Sequence, residues 1–277
     1  MSQPSLSAGV ATLERELGEP LFHRLGRRVA LTSAGEALVA PARRLLREAD
    51  AVRDAVAGVA LVVHGSLDLV ALPTLAVEPL SRLIGAFRSR FPGVTMHVAE
   101  PESRRDLLAM VVDGRAELGL TDLGGHGTGG DTASPTQLEA HPLGRQTLLA
   151  VCPPGTELPK PRRAKGGPPT VPVRWLAERA LVTTHVGTST RDLLDAALAR
   201  AGVLPVVAVE TGQREAIVPL VLAGAGCALL PEPIARDAAA QGAVIARLDP
   251  PLERTIGIVH RRAPLSPAAR EFLASAV

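Results

Sequence analysis

The sequence predicts an α/β protein with a small helical head and a larger two-lobed body. Three observations carry that prediction. The chain opens with a short amphipathic helical pattern followed by an arginine-bearing hairpin. Apolar residues then recur at heptad spacing from Leu38 to Val59. After Gly65 short apolar runs alternate with helical periods, and this happens in two successive sets.

At 277 residues the chain exceeds one ordinary domain. Apolar residues make up 46% and charged residues 21%, which suits a globular protein with ample core. Aromatics are only 2% and tyrosine is absent, so the cores must be built from Leu, Val and Ala. A net charge of +2 is too small to imply a nucleic-acid partner, so any basic footprint must be local. No apolar run reaches the length of a membrane span, and the start lacks the n- and h-regions of a signal peptide. The expected compartment is the cytoplasm, with no membrane contact.

In the head, Ser2 or Gln3 can cap a helix with Pro4 in its first turn. Leu6, Val10, Leu13 and Leu17 lie on one face of that helix, and Gly18 ends it. The opposite face carries the small residues Ser5, Ala8, Gly9 and Thr12. Such a face allows close approach to a nucleic-acid groove, and it equally suits a short solvent-facing helix. Leu21 to Leu31 then reads as two extended runs around Gly26. Arg24, Arg27 and Arg28 lie between Pro20 and Glu36 with no acid among them, a pattern that fits either phosphate contacts or a solvated turn.

Thr32 or Ser33 caps the next helix, and Ser33 with Glu36 has capping-box spacing. Leu38, Ala42, Leu45, Ala49, Val52, Val56 and Val59 alternate steps of four and three, the seam of a helix lying along another helix. A second copy of the chain or the chain's own body would cover it. Pro41 is expected to kink this helix or mark a frayed start.

The stretch from Ser2 to Glu36 resembles the DNA-binding region of LysR-type transcriptional regulators. The resemblance rests on Gln3-Pro4-Ser5-Leu6-Ser7, Leu13-Glu14-Arg15-Glu16-Leu17-Gly18, Pro20-Leu21-Phe22 with Arg24, and Arg27-Arg28-Val29 with Leu31-Thr32 and Gly35-Glu36. It implies the recognition helix and wing of a winged helix-turn-helix, followed by a dimerising linker helix. It also implies DNA contacts from Gln3, Ser5, Ser7, Thr12, Arg24, Arg27 and Arg28. Family members carry a further helix and a half before the position of Gln3. Without those elements Leu6, Val10 and Leu13 would lose part of their cover, worth roughly 1.5–3 kcal/mol per fully buried Leu. A ligand-binding dimer that has lost DNA binding through N-terminal truncation is therefore the alternative reading. Ala8 and Gly9 also stand where the family usually has polar or basic residues, and Glu117 stands where it more often has Asp.

In the body, strands are expected at 67–72, 94–99, 118–120, 148–152, 181–184, 206–210, 227–230 and 256–260, in a sheet of largely parallel strands. Helices are expected at 79–91, 104–112, 191–201, 215–223 and 267–275. Two similar lobes with a late return strand suit a periplasmic-binding-protein-like (type 2) receptor, and the resemblance implies the same architecture. Its matching pieces are Gly65-Ser66-Leu67, Phe87 to Gly93, Gly114 to Leu118, and Gly224 to Pro231. The expected division is residues 1–32 for the partial winged helix-turn-helix, 33–63 for the linker helix and 64–277 for the effector-binding domain. Within the last, lobe I takes 64–146 and 260–277, and lobe II takes 147–259.

Ligands in such sheets sit beyond the carboxyl ends of strands. Those positions hold Thr74, Ser103, Thr121, Asp122, Thr184, His185, Glu210 and Thr211. Each alone reads first as a cap or turn residue, and it is the set together that points to a ligand site. Expected partners are promoter DNA, a small-molecule effector of the carboxylate class, a second copy of the chain in a homodimer or tetramer, and RNA polymerase. No cofactor, metal site or enzymatic activity is expected. The glycines Gly125, Gly127 and Gly130 match a nucleotide-binding spacing but open no helical pattern. The basic loop at Lys160, Arg162, Arg163 and Lys165 reads as a solvated surface. The histidines show no metal-ligand spacing. Cys152 and Cys227 sit in apolar strand-like runs and read as small buried hydrophobes rather than a redox pair.

Overall fold

The computed structural model describes residues 3–25, 28–57, 65–124, 137–159 and 167–277. The head begins with α1 (Gln3–Leu17), which stops at Gly18, whose φ of 77° suits glycine. A hairpin follows, β1 (Phe22–Leu25) paired with β2 (Arg28–Leu31), with Phe22 opposite Leu31. The Glu14 carboxylate accepts hydrogen bonds from the backbone N–H groups of Leu21 (2.7 Å) and Phe22 (3.2 Å). That contact ties the helix to the entrance of the hairpin.

Thr32 resolves the choice of cap for α2 (Ser33–Ala57). Its hydroxyl accepts from the Gly35 N–H at 3.0 Å and donates to the Pro20 carbonyl at 2.6 Å. Ser33 thus stands inside the helix. Gly35 is there because a Cβ would lie 2.2 Å from the Leu21 carbonyl oxygen. Pro41 lies inside α2 without ending it.

The inward face expected of α1 is not covered. Leu6, Leu13 and Leu17 are 56%, 41% and 49% exposed, because no described segment lies over them. Along the seam of α2, Leu38 and Ala42 are half-buried while Leu45 and Ala49 are exposed. Val59 lies outside the described residues. The helix reaches the body through Arg43, 3.5 Å from the buried carboxylate of Asp68.

The body starts with β3 (Gly65–Ala71) and α3 (Pro73–Leu75), which passes through a kink at the extended residue Glu78 into α4 (Ser81–Arg90). Next come β4 (Val94–Ala99), α5 (Arg104–Val112), β5 (Leu118–Asp122) and the long β6 (Leu138–Cys152). Then follow β7 (Thr170–Pro172), α6 (Val173–Ala177), β8 (Ala180–Thr183), α7 (Ser189–Arg200) and β9 (Val206–Glu210). After a 3₁₀ turn (Arg214–Ala216) the chain makes α8 (Ile217–Leu222), β10 (Ala228–Pro231), α9 (Glu232–Ala240), β11 (Val244–Asp249), β12 (Leu252–Arg261) and α10 (Pro267–Ala276).

The main sheet runs β4-β3-β5-β12-β6-β11-β7, with β10 also pairing β6, while β8 and β9 form a separate parallel pair. The sheet is mixed rather than largely parallel. β3 is parallel to β4 and β5, but β12 is antiparallel to β5 and β6, and β10 and β11 are antiparallel to β6. The difference arises because β6 and β12 are long strands whose outer halves are polar. Residues 139–146 are mostly exposed or half-buried, so they carry no apolar run in the sequence. The short α6, α9, β7 and β11 also went unforeseen.

Two regions of core define the lobes. The first gathers Leu67, Leu69, Phe87, Leu107, Leu118, Leu120, Ile258 and Phe272 between β3, β5, β12 and helices α4, α5 and α10. Phe87 meets Phe272 edge to face at 5.3 Å. The second region lies on both sides of β6, with Leu148, Trp175, Leu181 and Leu198 in one cluster and Leu149, Val182, Val221 and Ala235 in the other. β12 serves both, since Leu252 packs in the second region and Ile256, Ile258 and Val259 in the first. Glu117 makes use of its length: it accepts from the Ser266 N–H (2.6 Å) and hydroxyl (2.9 Å), anchoring the start of α10.

The cysteines are not independent buried thiols. Ala228 of β10 pairs with Val151 of β6, and one step further back Cys227 meets Cys152 in a buried disulfide with a Cα–Cα distance of 4.2 Å. A separation of 75 residues hides this pairing from any spacing rule.

Candidate functional site

Between the lobes lies a cavity of about 350 Å³, within the range of small-molecule sites. Its walls are mostly apolar, with Leu72, Val77, Val182, Ile217 and Leu230 among the lining residues. Among its polar lining groups, Thr74 and Ser189 meet at Arg254. This residue is on β12 and is only 2% exposed. Its guanidinium donates to Gln146 Oε1 (2.6 and 2.9 Å), to Ser189 Oγ (2.9 Å) and to Thr74 Oγ1 (2.7 Å). All three acceptors are neutral. Burial pushes its pKa down to about 10, a value the charge of Asp122 helps to hold up.

Ser189 joins the lobes. Its hydroxyl accepts from Arg254 and donates to the Asp122 carboxylate at the end of β5. Asp122 is in turn 3.3 Å from Arg104, whose Nε also donates to the Asp122 carbonyl at 3.0 Å. A continuous polar chain therefore runs from Arg104 in the first lobe through Ser189 of α7 to the crossing strands β12 and β6. Glu100 and Arg214, both lining the cavity, form an ion pair at 3.4 Å, and burial lowers the pKa of Arg214.

The side chains expected at strand ends separate into groups. Thr74 and Thr184 line the main cavity. Ser103, Thr184 and His185 line an adjoining pocket that shares Glu100, Thr184, Thr188 and Arg214 with the cavity, and Ser103 also caps α5 by accepting from the Asp106 N–H at 3.1 Å. Asp122 reaches the cavity wall through Ser189. Thr121 is fully buried in β5 and its hydroxyl has no hydrogen-bond partner. Glu210 and Thr211 line neither part. Glu210 instead bonds His185 Nδ1 (2.8 Å) and Arg191 (3.0 Å) behind the wall, and the Thr211 hydroxyl accepts from the Gln213 N–H at 3.0 Å.

Sequence reasoning missed Arg254, Gln146, Ser189 and Arg214. Arg254 and Gln146 are on halves of strands that show no apolar signal. Ser189 was within reach: Thr188 stands at the N-cap of α7, with Ser189 its first residue, just as Ser103 stands at the N-cap of α5. In the head, Ser5, Ser7 and Thr12 are exposed on α1, and Thr12 accepts from Arg15 at 3.0 Å. Arg27 and the side chains of Gln3, Arg24 and Arg28 lie outside the described residues. So do Gly125, Gly127, Gly130 and the basic loop from Lys160 to Lys165.

A head of helix, hairpin and long helix joined to a two-lobed receptor with a cleft between the lobes defines a ligand-responsive DNA-binding regulator. Known proteins bear this out. Residues 62–277 match the family described as the LysR substrate binding domain, and residues 1–36 match the bacterial regulatory helix-turn-helix proteins of the lysR family. The chain belongs to the LysR family of transcriptional regulators, which are not enzymes. It is 30% identical over 233 residues to a probable hydrogen peroxide-inducible genes activator of Mycobacterium avium, covering 84% of this chain and 70% of that protein. A full-length OxyR variant from Pseudomonas aeruginosa has a similar fold, with a TM-score of 0.68 and 24% identity over 100% of this chain and 85% of that one. The effector binding domain of QuiR in complex with shikimate has a TM-score of 0.61 and 18% identity, covering 77% of this chain and 96% of that one. Among the described residues no helix is long and apolar enough to cross a membrane.

Proposed function

We propose that the cleft binds a small carboxylate as effector and that this occupancy changes how a dimer of the chain holds promoter DNA. The observation that carries the reading is Arg254: a buried cation whose hydrogen-bonding partners are neutral and which borders a mostly apolar cavity. A carboxylate would give Arg254 a directly bonded counter-charge, which Asp122 supplies only through the Ser189 hydroxyl. The start of α7 supports the same ligand, since first-turn N–H groups of a helix lack intrahelical partners. The Thr188 hydroxyl does not cap them but turns to Thr184 (2.5 Å) and to the His185 carbonyl (2.9 Å). Thr74, Ser189 and Thr184 would orient the ligand, and Ser103, His185 and Arg214 would line its entrance. The shikimate held by QuiR is itself a carboxylate.

In this reading residues 1–32 contact DNA, 33–63 join two chains, and 64–277 sense the effector. Ser5, Ser7 and Thr12 would meet bases or phosphates, and Arg24, Arg27 and Arg28 the backbone, in the cytoplasm. RNA polymerase would then respond to the altered complex. A ligand shifts such an equilibrium only by its differential affinity for the two states.

The test is a calorimetric screen of small hydroxy- and keto-carboxylates against the full chain, followed by mobility shifts on the DNA upstream of its own gene. A carboxylate should bind and should change the mobility-shift titration. Arg254→Gln should weaken that binding by about 10- to 100-fold, since a charged hydrogen bond is worth about 1.5–3 kcal/mol. Binding indifferent to Arg254→Gln would overturn the assignment of the site.

A further inference from the structure

A second cluster lies away from the cleft, on the strands that connect the lobes. We propose that Glu139, His141 and His260 form a binding site for a divalent transition-metal ion of the zinc and nickel class. Strand register places them together. His260 of β12 pairs with Glu139 of β6, and Ile258 pairs with His141. Directly opposed residues point to the same face, so all three side chains share one side of the sheet.

The ligand atoms converge. His141 Nε2 is 3.0 Å from His260 Nε2 and 3.7 Å from Glu139 Oε1, and all three donor atoms lie within 4.8 Å of one another. The imidazole centroids are 5.1 Å apart, further than the two nitrogens, so both Nε2 atoms point inward between the rings. A tetrahedral zinc with bonds of about 2.0–2.1 Å sets its ligand atoms roughly 3.3 Å apart. The cluster brackets that spacing and needs only a slight opening of the histidine pair.

The tautomer of His260 is already the right one. Its Nδ1 is 2.7 Å from the Arg261 carbonyl, which can only accept, so Nδ1 carries the proton and Nε2 presents a lone pair. A ligating histidine held by a backbone carbonyl through its other nitrogen is the usual outer arrangement of metal sites. His260 is buried, His141 half-buried and Glu139 exposed, which leaves an open side for a fourth ligand from water. Two imidazoles and one carboxylate suit zinc, nickel, cobalt or copper, whereas magnesium and calcium prefer oxygen ligands throughout. The site would pin together β6 and β12 where both enter the first lobe, beyond the crossing that carries Gln146 and Arg254. Sequence spacing could not reveal it, because His141 and His260 are 119 residues apart.

The experiment uses the tag-free, chelator-stripped full chain, titrated with zinc by calorimetry and with cobalt by visible absorption. One ion per chain is expected, with cobalt bands typical of nitrogen and oxygen ligation and a higher melting temperature in zinc. His141→Ala should weaken binding by more than the about 10- to 100-fold cost of losing an outer partner of a metal ligand. Glu139→Gln should weaken it less, and His185→Ala, in the pocket adjoining the cleft, not at all. His141 and Glu139 are accessible enough that these variants should fold, which circular dichroism checks independently of metal. Zinc binding that is absent in the parent chain, or equal in the parent and His141→Ala, would overturn the proposal and leave the pair as a plain hydrogen bond. Neither result bears on the effector or on DNA.

Discussion

The head and the body of this regulator are held together in opposite ways. In the body the largest side chains are sealed: Phe87, Phe272, Leu107 and Leu118 have no exposed surface. In the head Leu6, Leu13, Leu17 and Leu45 are largely open, and order rests on hydrogen bonds from Glu14 and Thr32 to the backbone. The body therefore carries its own cover, while the head is shaped by capping and awaits cover along both helices.

The largest expected effect contrasts the two directly. Phe272→Ala should cost about 3–5 kcal/mol, the range for truncating a buried Phe. Leu13→Ala should cost within about 0.5 kcal/mol, as surface substitutions do. Urea unfolding of the full chain at low concentration checks both. An equal cost would mean that Leu13 is covered in solution and would end the contrast.

Next in size is the disulfide, which belongs to the body alone. Opening the Cys152–Cys227 bridge should lower stability by about 2–4 kcal/mol, the usual worth of such a cross-link. Melting curves with and without reductant, with thiols counted by mass after alkylation, provide the measurement. An unchanged melting temperature after complete reduction would assign the body's stability to packing alone.

Smaller again, and confined to the head, is Gly35→Ala. The added methyl collides with the Leu21 carbonyl, and relieving it should cost about 1–3 kcal/mol as overpacking does. Hydrogen exchange should quicken in the hairpin and the first turns of α2, with the body unaffected. Protection lost evenly across both units would show that they fold as one.

These contrasts also explain what the sequence made legible. Where a segment buries one face, its period gave the element: Leu107, Leu108 and Val111 marked α5, and the apolar run ending at Cys152 marked the inner half of β6. Where burial is shared or absent, the signal failed. The outer half of β6 alternates poorly because both faces are partly wet, so the antiparallel crossing strands and the mixed sheet were missed. The leucines of α1 marked a helix correctly, and the loss of cover expected for Leu6 and Leu13 is what their exposure shows. The cleft was half legible. Strand ends pointed to Thr74, Asp122 and Thr184, whereas Arg254, Gln146 and the cluster of Glu139, His141 and His260 depend on strand register. Register is fixed by long-range pairing, which no single window contains.

The smallest expected effect tests whether the body, so well packed, also relies on charge beside its cleft. Hydrogen bonds from His185 and Arg191 hold the Glu210 carboxyl below its ordinary value of 4.5. Arg191 also grips Asp195 at 2.8 Å and the Thr184 carbonyl at 3.2 Å, so Glu210 helps fix the start of α7 against the end of β8. An acid whose folded value is depressed binds fewer protons when folded than when unfolded. Its stabilisation is thus complete above 4.5 and disappears as pH falls through the lowered value. The melting temperature of Glu210→Gln should therefore sit slightly below that of the parent at neutral pH, and the gap should close in acid. A gap that persists unchanged however far the pH is taken below 4.5 would mean that the Gln side chain disturbs packing instead. The wall of the cleft would then resemble the rest of the body, and the hydrogen-bonded manner of construction would belong to the head alone.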